Sequence, residues 1–213
     1  LELDDFSHIP ESIGVNIDVE AIAISNMGSV ETVAAFDSIF VSQDPQVFAQ
    51  SFSETTVSGN GSSYFGKGAI SSELVGEFFI AAEEDFSFNY QGSFNTAAVL
   101  NNPDIENSRT LVNISLLLDH NYGQEQIYDL SFISNSPQQS ALSFAGQFQD
   151  SFRQDTPLKL YAQTEIQSCL HTFRDNSICD SPPPIPPAAA VPFQPAETLA
   201  ILLTLGFFCF RLI

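Results

Sequence analysis

The chain has 213 residues, 26 of them acidic and 6 basic, for a formal net charge of -20. A surface this negative repels phosphate backbones and anionic lipid, which excludes nucleic-acid binding and direct adsorption to an acidic membrane face. The apolar fraction of 44% excludes a disordered chain, and about 180 residues ahead of a distinctive C-terminal tail suffice for one domain with its own core.

The chain opens at Leu1 with no basic-then-apolar segment before Asp4-Asp5, so an export reading expects a leader upstream. Val15-Asn-Ile-Asp-Val-Glu20 alternates strictly, which predicts a strand with Val15, Ile17 and Val19 facing a core. Val30 to Val41 fits a helix or a strand equally. Ser58-Gly-Asn-Gly-Ser-Ser63 predicts a flexible loop. Leu74 to Glu84 also fits either period, but Phe86-Ser-Phe-Asn-Tyr90 resumes alternation at once and favours a strand running into a turn at Glu83-Glu84-Asp85.

Strands are predicted over Leu111–Leu118, Ile127–Ile133, Leu142–Phe148 and Leu158–Ile166. Asn101-Asn-Pro-Asp104, Asn121-Tyr-Gly123 and Asn135-Ser-Pro137 supply turn chemistry between them. Short, half-polar strands at such intervals, with no long alternating helices, predict antiparallel sheets. Twenty Phe, no Trp and many Ser, Asn and Gln match exported bacterial β proteins.

Cys169 and Cys179 flank the turn-prone Arg174-Asp175-Asn176-Ser177, which can bring the two thiols to disulfide distance; two buried thiols are the alternative. A disulfide implies an oxidising compartment. Cys209 has no partner in that register.

The chain then changes character. Pro182-Pro-Pro-Ile-Pro-Pro187 is stiff and extended and cannot join a ladder. Leu199 to Phe210 carries no charge, and Arg211 follows. At about 1.5 Å per residue the stretch from Leu199 to Ile213 spans roughly 22 Å as a helix, short of the roughly 30 Å hydrocarbon core. Length alone permits a buried core helix. The proline spacer, the apolar surface all round and a terminal cation able to snorkel favour a membrane segment.

Val191-Pro192-Phe193, then Pro195-Ala196-Glu197, then an apolar helix with Gly206, then Arg211, resembles the PEP-CTERM class of protein-sorting domain, in the Pro-Phe variant of cyanobacterial proteins. Pro195-Ala196-Glu197 stands where the class has Pro-Glu-Pro, and one Arg replaces a basic cluster. The resemblance covers about the last 25 residues. It implies export, anchoring, and recognition by an exosortase, a membrane-embedded cysteine transpeptidase that cleaves near the motif. The sorting residues it marks are Val191, Pro192, Phe193, Pro195, Glu197 and Arg211. Phe86-Ser-Phe-Asn-Tyr90, Asn107-Ser-Arg-Thr and Asn113-Ile-Ser-Leu are also similar to strands of the ectodomains that precede such tails.

Chemistry is sparse. No Gly-x-Ser-x-Gly elbow occurs, and His8, His120 and His171 form no spaced ligand pair, so no catalytic residue and no cofactor is expected. Glu83, Glu84 and Asp85 are the densest carboxylates and the candidate Ca²⁺ ligands, with an acidic turn in water as the alternative. Tyr64 and Tyr122 are the tyrosines placed for sugar stacking.

The expected architecture is all-β: an antiparallel, jelly-roll-like β-sandwich ectodomain over 1-180, a Pro/Ala-rich linker over 181-190, and a sorting or anchor segment over 191-213 with one transmembrane helix. The expected function is that of a membrane-anchored surface or extracellular-matrix protein without catalysis. A carbohydrate- or calcium-binding adhesion module, with surface polysaccharide as its partner, is the alternative.

Overall fold

The computed structural model describes residues 1–43, 46–135, 139–173 and 176–180. Eight strands follow one another: β1 (Glu2–Asp4), β2 (Ser12–Gln43), β3 (Gln46–Ile80), β4 (Glu84–Thr96), β5 (Asn107–His120), β6 (Gly123–Ser134), β7 (Ser140–Phe152) and β8 (Thr156–His171). A single 3-10 turn, Asn176–Cys179, follows β8. The described residues form one compact unit. The linker and the sorting residues Val191, Pro192, Phe193, Pro195, Glu197 and Arg211 lie outside the described residues.

The body is antiparallel β throughout, as its alternation predicts. The strands form one hydrogen-bonded sheet in the order β6-β5-β8-β3-β1-β4-β7, with β2 along β3. The ambiguous segments are both strand: Val30 to Val41 belongs to β2, and Leu74 to Ile80 ends β3.

The predicted loop at Ser58–Ser63 is instead part of β3. β2 and β3 pair as one hairpin from Ser12↔Glu77 to Gln43↔Gln46, with register shifts between Ser25 and Gly28. The glycines bend this ladder rather than open it. Gly28 and Gly61 adopt φ of 141° and 124°. A Cβ on Gly61 would lie 2.3 Å from the Met27 carbonyl oxygen, and one on Gly28 2.0 Å from that of Asn60. The two backbones approach closely only because both residues lack a side chain. Beyond the bend the hairpin returns over itself. The Gly66 backbone packs under Val57 and Val30, and the Thr32 hydroxyl donates to the Ile22 carbonyl at 3.1 Å.

The same edge of β3 carries two partners. Residues Phe65–Ile80 pair with β8, while Ala49 and Gln50 pair with β1. The sheet therefore has a β3-β8-β5-β6 half and a β1-β4-β7 half, and their inner faces meet. Phe86 and Phe88 of β4 and Phe148 and Phe152 of β7 pack with Leu116 and Leu118 of β5 and Leu158 and Leu160 of β8. Phe6 stacks on Phe78 and Phe88 at 5.5 and 5.3 Å between ring centroids, and Phe86 meets Phe78 edge-on at 4.9 Å. Each such ring contributes about 1.5–3 kcal/mol by burial. The two halves close toward each other at an aromatic seam, Tyr128 on Phe144 at 4.5 Å and Phe94 on Phe132 at 5.2 Å, so the sheet is nearly a barrel.

Val15, Ile17 and Val19 do not fill the core: they remain 42%, 44% and 46% exposed. Their alternation is that of a strand, but β2 pairs with β3 alone and lies at the margin of the sheet. Among the described residues no helix is long and apolar enough to cross a membrane.

Candidate functional site

The inner face of β8 changes chemistry along its length. Leu158, Leu160 and Ala162 are packed in the core. Continuing with the same period, the next inward positions are Thr164, Ile166 and Ser168. Each heads a row across three strands: Ser72, Thr164 and Ile114; Ile70, Ile166 and Val112; Gly68, Ser168 and Thr110. The opposite wall comes from Ser51, Ser53 and Thr55 of β3, Phe94 and Thr96 of β4, and Leu142 of β7. Small hydroxylated residues leave the space that Phe and Leu fill at the other end. The result is a cleft of about 560 Å³ between the two halves of the sheet, within the range of small-molecule sites.

One hydroxyl pair spans the cleft, Thr55 Oγ1 to Ser168 Oγ at 2.8 Å. Two other hydroxyls are shielded and lack a protein hydrogen-bond partner: Thr164 Oγ1 and Ser53 Oγ. Thr164 is only 8% exposed. Among the described side chains that line the cleft, Glu54 is the one that carries a charge, and it is exposed. The sequence predicts a strand over Leu158–Ile166 but not this site. The available signal was a threonine standing in the apolar set of an otherwise alternating strand.

The outer face of the same strands is wholly polar over two neighbouring rows. Asp18, Ser71, Glu165 and Asn113 make one, and Asn16, Glu73, Gln163, Ser115 and Asp129 the other. Asn113 Nδ2 donates to Glu165 Oε2 at 2.8 Å, and Gln163 Nε2 donates to Glu73 Oε2 at 2.6 Å. These bonds hold amides and carboxylates in a fixed array around a concavity of about 460 Å³.

Cys169 and Cys179 are joined in a disulfide with their Cα atoms 5.9 Å apart. Phe65, Ile22, Ile24, Phe173 and Ile178 pack around it. Gln167 Nε2 donates to the Cys179 carbonyl at 3.0 Å, and Arg109 pairs with Asp180 beside it. Donor atoms of Cys169, His171 and Cys179 lie within 4.8 Å of one another, but both sulfurs are committed to the disulfide. The candidate ligands Glu83, Glu84 and Asp85 do not converge. Glu83 takes a turn conformation with φ of 66°, Glu84 Oε2 meets His8 Nε2 at 3.1 Å, and Asp85 accepts from the Ser151 hydroxyl. Successive strand residues point to opposite faces, so Glu84 and Asp85 are drawn apart.

Tyr64, expected at the surface, is 1% exposed, because residues 58–63 are strand and carry it inward; Tyr122 is 66% exposed. Burial, reinforced by the neighbouring Glu106 carboxylate, pushes the Tyr64 phenol well above its ordinary pKa. His120 ends β5 and accepts from the Tyr122 amide at 3.1 Å, while His8 lies in the connection between β1 and β2.

No family model and no curated protein matches the chain. Among solved structures it is similar to Arthrobacter globiformis T6 isomalto-dextranase complexed with panose, at 7% identity and a TM-score of 0.16, over 72% of this chain and 34% of that one. The chain thus spans about a third of that enzyme chain, and a likeness this weak carries no argument.

Proposed function

We propose that this chain is an exported, non-catalytic β protein held at the cell envelope by its C-terminal segment, where it serves as surface or extracellular-matrix structure. The observation that carries the reading is the Cys169–Cys179 disulfide. Such bonds persist in oxidising compartments and are rare in the cytosol. The Pro182–Pro187 spacer, the apolar run to Phe210 and the sorting motif support the rest of it, with an exosortase-type enzyme as processing partner. In finer detail we read the ectodomain as a jelly-roll-like sandwich, supported by the meeting of the two inner faces.

The test is the redox state of the protein in the cell. Cells are lysed in a thiol-alkylating reagent without reductant, and the tryptic peptides are weighed. Cys169 and Cys179 should escape alkylation in protein from the envelope fraction. Full alkylation of both in fresh lysate defeats the reading.

The second reading is a carbohydrate- or calcium-binding adhesion module on the same anchor. It is favoured by the outer array of Asp18, Glu73, Asp129 and Glu165 with Asn16, Asn113 and Gln163. Calorimetric titration with Ca²⁺ and a glycan-array screen decide it, and two null results remove it.

A further inference from the structure

We propose that the cleft inside the folded sheet is a binding site for a small, uncharged, hydroxyl-bearing amphipathic molecule. Thr164 and Ser53 would hold its polar group, and Val112, Ile114 and Ile166 its apolar part.

Four observations lead there. The first is the void itself, about 560 Å³ in a body whose other end is close-packed with Phe and Leu. A domain able to fill one end with large rings has no packing reason to place Thr164, Ser168 and Thr110 at the other. The second is Thr164. The residue lines the cleft and is more than nine-tenths buried, and its hydroxyl has no protein partner. Burying a hydroxyl unpaired is unfavourable, and a ligand group that donates to it or accepts from it relieves the cost. Ser53 Oγ on the facing wall, in a residue only partly buried, likewise lacks a protein partner.

The third is the alternation of apolar and hydroxyl rows. Val112 and Ile166 make the row between those of Thr164 and Ser168, Ile114 stands beside Thr164 in its own row, and Val112 and Ile114 are almost fully buried, so the three offer a hydrocarbon wall. A molecule with both apolar and hydroxyl surface is complementary to it, whereas a pure hydrocarbon leaves Thr164 unpaired. The fourth is charge. No cationic side chain lines the cleft among the described residues, the Leu1 α-amino group that lines it is bonded to the Ser51 carbonyl at 3.0 Å, Glu54 stands at its wall, and the chain carries a net charge of -20. An anionic head group meets no lysine or arginine there and finds the Leu1 α-amino group already donating to the Ser51 carbonyl, in a repulsive field.

The test uses the full chain with methyl-labelled Ile, Leu and Val, titrated with 1-decanol and, in parallel, with decanoate at neutral pH. The expected result is saturable shifts of the Val112, Ile114 and Ile166 methyls with 1-decanol, and at least about tenfold weaker binding of decanoate. Thr164→Val removes the hydroxyl at nearly constant volume and should leave the fold intact, because that hydroxyl bonds to nothing in the protein. It should weaken 1-decanol about tenfold, the loss of one buried hydrogen bond. Ser53→Ala, on the other wall, is the independent second variant and should weaken binding severalfold. The proposal is overturned by an absence of shifts, by shifts confined to Leu199–Ile213, by equal affinity for alcohol and carboxylate, or by unchanged affinity in both variants.

Discussion

The bend in the β2–β3 hairpin allows a prediction in which two physical terms separate. Alanine at Gly61 meets both a positive φ of 124° and the Met27 carbonyl oxygen 2.3 Å from its Cβ. Alanine at Gly123 meets a positive φ of 131° with nothing within 4 Å. Alanine at Gly14 has neither obstacle. The φ term is worth about 1–3 kcal/mol. At Gly61 the clash is with backbone of the paired strand, which yields only by separating the ladder at the fold-back, so the total should exceed about 3 kcal/mol. Gly123→Ala should lose about 1–3 kcal/mol, and Gly14→Ala should gain about 0.4–1 kcal/mol by restricting the unfolded chain. Equilibrium urea unfolding, followed by far-UV circular dichroism, measures all three. If Gly61→Ala costs no more than Gly123→Ala, the close crossing of the two backbones is not what makes the bend, and the account of the doubled hairpin fails.

Other expectations follow from the same structure. Replacing Cys169 and Cys179 together by Ala should lower stability by about 3 kcal/mol through the lost loop-closure constraint, and reductant should lower the wild type equally in a urea titration. Phe86→Ala, at the junction of the β4 and β8 faces, should cost about 3–5 kcal/mol, with the unfolding midpoint falling and the denaturant slope unchanged. Lys159 first, then the Ser12 hydroxyl, hold the Glu77 carboxyl below its ordinary pKa, and Glu77 in turn raises Lys159. A depressed carboxylate stabilises above its unfolded pKa and stops doing so as pH falls through the folded one. A raised lysine stabilises until pH climbs through its folded value. Glu77→Gln should therefore lower the melting temperature slightly between about pH 5 and 10 and leave it unchanged near pH 2; a difference that persists at pH 2 contradicts the ion pair as its cause.

The strand chemistry was legible because alternation survives in Phe86–Tyr90, Leu111–Leu118 and Leu158–Ile166, and those positions do supply the core. The doubled hairpin was hidden by its own means of bending. Gly59, Asn60 and Gly61 read as loop residues, and nothing local distinguishes a glycine that opens a ladder from one that lets two backbones cross. Alternation at Val15, Ile17 and Val19 reported a strand but not its place in the sheet, since edge position depends on which strands pair at long range. The cleft was obscure for a related reason. Thr164, Ser53 and Thr110 come together from β8, β3 and β5, and each alone reads as an ordinary strand residue. The disulfide was the easiest long-range feature to anticipate because its span is short.

The decisive measurement concerns the segment after Asp180. Two chains, one complete and one ending at Asp180, are expressed in a bacterial host behind the same export leader, and the cells are separated into soluble and membrane fractions with an alkaline wash. The account predicts that the complete chain stays with the washed membrane and that the shortened one is released. Recovery of both in the soluble fraction contradicts envelope anchoring and leaves the folded sheet with no established address.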